Sequence, residues 1–274
     1  MPEADRPTGA DFDAYAPREI ARRVESAGLA KIRQSGLTTL ILSVLAGAYI
    51  GFGALSYTIV VTGSELGWGP TRLLGGAVFS LGLVLVVVAG AELFTGNMLI
   101  VIGWADRKVR TMELLRNWSI VYLGNLAGAL GTAILVILAG IIRLDEGAVA
   151  AEAAAIAAAK LALPLSEAFF RGVLCNVLVC LAVWLSFAAR SLTDKILAIT
   201  LPITAFVMAG FEHSVANMYV IPAAMLAGLV EPDLGALAAN LIVVTAGNVV
   251  GGGVLVALVY WVVYVRSGEA PRPL

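Results

Sequence analysis

The 274 residues contain one histidine, His213. It lies in "AGFEHSVANMY", residues 209 to 219, inside a mostly apolar run from Lys195 to about Val230. An ionisable side chain at membrane depth is costly and reads by default as functional. An imidazole, with a reference pKa of about 6.5, suits proton exchange near neutral pH. A second polar island, "AGAELFTGNM" from Ala89 to Met98, aligns with Ala209–Met218 without a gap: alanine, glycine, glutamate, asparagine and methionine coincide. Glu92, Glu212, Asn97 and Asn217 can all hydrogen-bond to backbone. Thr95 stands two places after the residue aligned with His213 and offers a hydroxyl to the same site. Cys175 and Cys180 read as buried reduced thiols. With a single histidine, neither a metal site nor a cofactor is expected.

Long elements must position these residues. Hydrophobic residues make up 60% of the chain and charged ones 14%, against about 25% charged in soluble domains. Apolar runs fall at about 36–62, 72–104, 117–142, 168–189, 195–229 and 236–265, so the expected fold is an all-α membrane protein of six transmembrane helices. A span needs about 20 residues. The second and fifth runs exceed thirty, and each must tilt, protrude or break.

Lysine and arginine set the orientation. Fourteen lie in residues 1–35, 107–116, 190–195 and after the last span, against four (Arg72, Arg143, Lys160, Arg171) in the remaining joints. Both termini are therefore expected in the cytoplasm, in a multi-pass inner-membrane protein. The division expected is a cytoplasmic segment 1–35, a membrane domain 36–265 and a cytoplasmic tail 266–274. The domain splits into 36–142, a periplasmic linker 143–165 and 166–265. "YAPREIARRVESAGLAKIRQSG" reads as a helix opening at Pro17, with Ile20, Val24 and Ala27 as an apolar stripe on the membrane surface. Residues 146–164 are alanine-rich and favour helix.

The third and sixth runs also match, Asn117…Gly124-Asn125…Gly128 against Asn240…Gly247-Asn248…Gly251, while the first and fourth show no convincing pairing. Two of three spans recurring in order make a three-span unit used twice. An odd number of spans inverts the second copy, an architecture of channels and transporters. Both islands then read as broken helices near the midplane. Lipid cannot satisfy the freed N–H and C=O groups, so Glu92, Glu212, Asn97 and Asn217 are expected to hold the breaks. Half-helix N-termini there favour anions. Glycines spaced by four (Gly47/Gly51, Gly124/Gly128, Gly247/Gly251) permit close helix approach, within one subunit or between subunits.

"AELFTGNM", "GFEHSVANMYVIP", "GNLAGALG", "RGVLCNVLVCLAVW" and "GNVVGGG" resemble, in order, the signature stretches of the formate/nitrite transporter family, from about Gly36 to Tyr264. The resemblance implies an aquaporin-like protomer with its own pore, assembled as a pentamer and passing small monovalent anions such as formate, nitrite or hydrosulfide. Carried over by position, His213 is the pore histidine, Thr95 the loop threonine facing it and Lys160 the vestibule lysine. Leu93 and Phe94 help form a hydrophobic constriction, and Asn176 and Asn248 lie near the pore.

An ion entering a dry slit meets a Born cost on the order of 20 kcal/mol; a neutral acid meets about 2–7 kcal/mol. The expectation is that Lys160 attracts the anion and His213 lends it a proton, desolvation raising the acid's pKa toward that of the donor. A proton-coupled anion symporter on the same scaffold is the alternative. An intramembrane enzyme is disfavoured, since the spans hold no HExxH or GxSG-type motif. A neutral-solute channel is weaker too, for want of paired Asn-Pro-Ala.

Overall fold

The computed structural model describes residues 13–266. α1 (Pro17–Arg33) precedes α2 (Gly36–Val61), α3 (Trp68–Ala89), α4 (Gly96–Ala105) and α5 (Thr111–Leu138). α6 (Ala148–Leu161) precedes α7 (Leu165–Ser186), α8 (Leu192–Met208), α9 (Ser214–Leu226) and α10 (Leu234–Val265). Each set of five is a surface helix, a full span, a broken span in two pieces and a second full span. Among the described residues, six helices are long and apolar enough to cross a membrane. Several start a few residues before the apolar runs, because polar residues cap or open them. The Ser35 hydroxyl accepts from Thr38 N–H, Ser191 and Asp194 form a capping box on α8, and Asp233 accepts from Ala236 N–H.

Both overlong runs break where the islands lie. α3 ends at Gly90 (φ 81°) and α8 at Gly210 (φ 73°), left-handed positions that glycine adopts without a Cβ clash. Five non-helical residues follow Gly90 and three follow Gly210 before the chain turns back into helix.

Full spans pair through small residues inside one subunit. A Cβ on Gly128 would overlap the Val44 carbonyl, and one on Gly47 the Asn125 carbonyl, so α2 and α5 touch backbone to backbone. In the second half, Gly251 lies against the Val173 carbonyl and Gly247 against that of Phe169, joining α7 to α10. This equates α2 with α7, the pairing that side-chain identity did not reveal.

The basic joints share one face. Tyr15 N–H donates to Ala188 O (3.1 Å) and Arg190 Nε to Asp13 O (2.9 Å), while the Arg23 and Arg190 guanidiniums lie 3.4 and 3.6 Å from the Tyr15 ring centroid. Lys108 bridges Glu25 (2.9 Å) and Asp106 (2.8 Å), and Trp261 donates to Asp106 (3.1 Å). α1 is thus packed onto the bundle: Ile20, Ala21, Val24, Glu25 and Gly28 are buried, and Gly28 sits on the Ile100 backbone. A helix merely lying on the membrane surface would not bury a glutamate and a glycine together.

Candidate functional site

Two cavities enter the bundle from opposite faces. One, of about 370 Å³, is lined by Lys31, Gln34, Glu92, Leu93, Asn97 and Lys195 among others. The second, of about 360 Å³, is lined by Lys160, Glu212, His213, Phe206, Arg72 and Arg171 among others. They share no lining residue. The joint between them is a hydrogen bond from one broken segment to the other, Thr95 Oγ1 to His213 Nε2 at 2.9 Å, with Thr95 0% and His213 3% exposed.

The backbone sets the state of the ring. His213 caps α9, and its Nδ1 accepts Ala216 N–H at 3.1 Å. An amide N–H only donates, so Nδ1 carries a lone pair and the single proton sits on Nε2, pointing at Thr95. The resting ring is a neutral hydrogen-bond donor. Lending a proton to a weak acid, the role expected for it, would require an imidazolium. Forming that cation means losing the cap bond and placing charge at the positive end of α9. Phe206 stacks on the ring, centroids 6.0 Å apart, and meets Phe79 edge-on at 5.7 Å, so the approach to the pair is apolar on this side.

The freed backbone is satisfied in two matching ways. Glu92 N–H donates to Leu42 O (3.2 Å) and Glu212 N–H to Arg171 O (3.3 Å). Asn125 Oδ1 accepts Phe94 N–H (2.9 Å) while its Nδ2 donates to Glu92 O and Ser43 O. Asn248 Oδ1 accepts Ser214 N–H (2.9 Å) while its Nδ2 donates to Glu212 O and Gly172 O. Asn248, expected near the pore, is fully buried with both amide atoms bound to backbone on either side of His213, so it holds the loop and lines neither of these two cavities. Asn125, seen in the sequence only as part of the repeat, does the same work opposite.

Glu92 and Glu212 were expected to take loop N–H groups. Instead they bind side chains. Glu212 accepts both-oxygen contacts from Lys160 Nζ (2.9 Å) and one bond from Asn217 Nδ2 (2.7 Å), which also reaches Asn240 Oδ1 (2.8 Å). Glu92 pairs with Lys31 Nζ (3.1 Å) and accepts Asn97 Nδ2 (2.7 Å), which also reaches Asn117 Oδ1 (3.0 Å). A carboxylate that only accepted N–H bonds from a loop would be buried without a counter-ion; a lysine supplies the opposite charge. Lys31 is therefore the counterpart of Lys160, one at the mouth of each cavity. Composition placed it among six basic residues of the N-terminal segment. The available signal was its spacing, since each lysine stands the same distance ahead of the following full span.

Leu93 lines the Lys31-side cavity, whereas the Phe94 ring turns to α5 and packs edge-on against Trp118 (6.1 Å) and Tyr122 (5.0 Å). Asn176 breaks the symmetry. Its Nδ2 donates to Thr95 O (3.2 Å) and Asn248 O (2.7 Å), where the other half has Gly47 pressed on the Asn125 carbonyl. Cys180 Sγ also lies 3.4 Å from Thr95 O, and both cysteines are buried and free. Among the described residues no cluster of histidine, cysteine, aspartate or glutamate could hold a metal ion.

This arrangement matches known proteins over nearly its full length. The family model described as formate/nitrite transporter matches residues 18–262. The formate channel FocA of Escherichia coli (strain K12) is 38% identical, over 97% of this chain and 99% of that protein. The probable formate transporter of Methanothermobacter thermautotrophicus is 43% identical, over 93% and 96%. A solved pentameric formate channel with formate bound superposes with a TM-score of 0.78 at 41% identity, covering 84% of this chain and 97% of that one. An FNT family ion channel superposes at 0.82 with 30% identity, over 89% and 98%. Six apolar spans, two broken at a facing threonine and histidine, and a family match over nearly all of them lead to one conclusion: the chain belongs to the formate/nitrite transporter family.

Proposed function

We infer that the protein is a membrane channel for small monovalent anions, formate first among them and nitrite or hydrosulfide by their similar size and charge. It works as a pentamer in the inner membrane, with both termini and the Lys31-side cavity facing the cytoplasm. The observation that carries this reading is the pair of lysine-bearing cavities meeting at one buried, neutral hydrogen bond. The fourteen-to-four bias of basic residues toward the α1 face supports the orientation, and the pentameric solved relative supports the assembly.

Physics favours a neutral species at the barrier. Carrying an ion through the apolar joint costs on the order of 20 kcal/mol in the Born limit, against about 2–7 kcal/mol for a hydrogen-bonding neutral acid. The lysines draw the anion into each cavity. As it moves toward Leu93 on one side or Phe206 on the other, desolvation raises its affinity for a proton, which water in the cavity supplies. At the joint the acid displaces Thr95 as acceptor of the Nε2 proton, and the hydroxyl then offers its own hydrogen. His213 serves as donor and helix cap, and the proton travels with the cargo.

Stopped-flow uptake of formate, nitrite and hydrosulfide by proteoliposomes of purified protein, from pH 5 to 8, tests this. Formate uptake is expected to rise as pH falls. His213→Phe should cut it about five- to ten-fold, the value of one buried hydrogen bond, and His213→Asn, which keeps a donor and a cap, should retain more. No formate uptake above that of empty liposomes refutes the channel reading; His213→Phe at wild-type flux refutes the role of the pair.

A further inference from the structure

The two faces of the pore are not equal, and the difference lies in the cations beyond the lysine–glutamate pair; on the Lys160 side Arg171 is bound to Glu167 (2.9 Å). On the Lys160 side Arg72, near the start of α3, lies against the end of α8. Its Nε donates to Met208 O (3.2 Å), one Nη to Val207 O (2.8 Å) and the other to Tyr57 Oη (2.6 Å). The guanidinium is committed to the fold. On the Lys31 side the matching place, the first turn of α8 against the end of α3, holds Lys195. It lines the cavity with Val86, Val87 and Gly90. Its ammonium has no hydrogen bond or ion pair among the described residues.

A half-buried lysine without an acid is uncommon. Its position makes this one more so, because a cation in the first turn of a helix opposes the macrodipole. The one carboxylate in the cavity lining, Glu92, is already paired with Lys31 and Asn97. Gln34, whose amide oxygen is buried without a partner, lines the same cavity. Among the described residues lining this cavity, Lys31, Lys195 and Glu92 leave one positive charge without a paired acid; Asp194 at the start of α8 is turned to the Arg190 and Ser191 N–H groups that it caps.

We propose that Lys195 is an anion-collecting residue of the Lys31-side vestibule, a binding residue that this face has and the opposite face lacks. This rests on the channel reading above. Lys195 captures a small carboxylate from solution and passes it to the Lys31–Glu92 pair, so saturation differs between the two faces while the central barrier is shared.

The test measures initial formate uptake in everted membrane vesicles, which present the Lys31 face in the orientation proposed, and in right-side-out vesicles. The proteins are wild type, Lys195→Gln and Lys195→Arg. Lys195→Gln should raise the half-saturating concentration in everted vesicles about two- to five-fold and weaken its dependence on ionic strength. Uptake by right-side-out vesicles should keep the wild-type half-saturation, and Lys195→Arg should restore everted uptake. Unchanged half-saturation and salt dependence in everted vesicles overturns the proposal. So does an equal rise on both faces, which marks a folding defect. If wild type takes up formate in neither preparation, the channel reading falls and this inference with it; if wild type conducts and Lys195→Gln matches it, only this inference falls.

Discussion

Asn248→Ala isolates how the broken segment before His213 is held. The side chain makes three bonds: Oδ1 from Ser214 N–H at 2.9 Å, and Nδ2 to Gly172 O at 2.8 Å and to Glu212 O at 3.0 Å. Gly172 lies inside α7, so its carbonyl keeps a helical partner. Ser214 N–H and Glu212 O have no other and become orphans at a site closed to water. Each buried unsatisfied group costs about 1–3 kcal/mol, so the variant should lose about 2–6 kcal/mol of stability. Thr245→Val is the internal control: it removes one hydroxyl bond to Tyr122 (3.0 Å) in a half-buried place and should cost about 0.5–1.5 kcal/mol. Unfolding by SDS titration in mixed micelles reads both. Anion flux should fall with Asn248→Ala, because His213 and its α9 cap follow the orphaned segment. A loss below about 1 kcal/mol with normal flux would refute the claim that this asparagine holds the break. Asn125→Ala, with matching bonds in the other half, should give a similar loss.

Three more outcomes follow from the packing and charges. Gly128→Ala and Gly251→Ala push a Cβ into the Val44 and Val173 carbonyls and should cost about 3 kcal/mol or fail to fold, whereas Gly131→Ala, which meets open space, should stay within about 0.5 kcal/mol by the same titration. Lys31→Met strands the buried Glu92 carboxylate and should cost about 3–5 kcal/mol, against about 0.3–0.5 kcal/mol for Glu167→Gln, which removes an exposed pair with Arg171. Burial alone would raise the Asp106 carboxyl, but the Lys108 ammonium and the Trp261 N–H outweigh it and hold it below the ordinary value. A depressed acid stabilises above its unfolded pKa, about 3.9, and loses that contribution as pH falls through the folded one. Amide protection at 106–110, the exchange rate taken relative to the intrinsic rate at each pH, should therefore stay constant from pH 8 to 5 and fall only below about pH 4; a loss of protection already at pH 6 would contradict the assignment.

Much of this architecture was legible in the sequence. Runs too long for one span, each with Ala-Gly ahead of a glutamate, gave both breaks and the inversion, because lipid permits few ways to end a helix at that depth. What stayed hidden depended on pairs far apart in the chain. α2 and α7 are equivalent through backbone contact, with Gly47 in one place and Asn176 in the other, so no identity marked them. Glu92 looked like a loop acceptor because its cation sits on α1, outside the apolar repeat. Asn248 was placed near the pore by resemblance alone; its bonds to Ser214, Glu212 and Gly172 join residues at least 34 apart in the chain, which no local pattern marks. The ring of His213 was visible, but the Ala216 amide that fixes its proton appears only once α9 has a first turn.

The polar opening of the chain is the part a protein engineer would trim first, as ahead of the earliest hydrophobic stretch and dispensable by hydropathy. Yet α1 stands to its half as α6 stands to the other, and Lys31 is the counter-ion of a carboxylate sunk beneath it. A chain begun at residue 36 would insert six helices and still leave one vestibule with an orphaned anion at its throat. The smallest functional unit of this scaffold is thus five helices taken twice, and shortened versions for crystallisation or fusion should start upstream of Pro17.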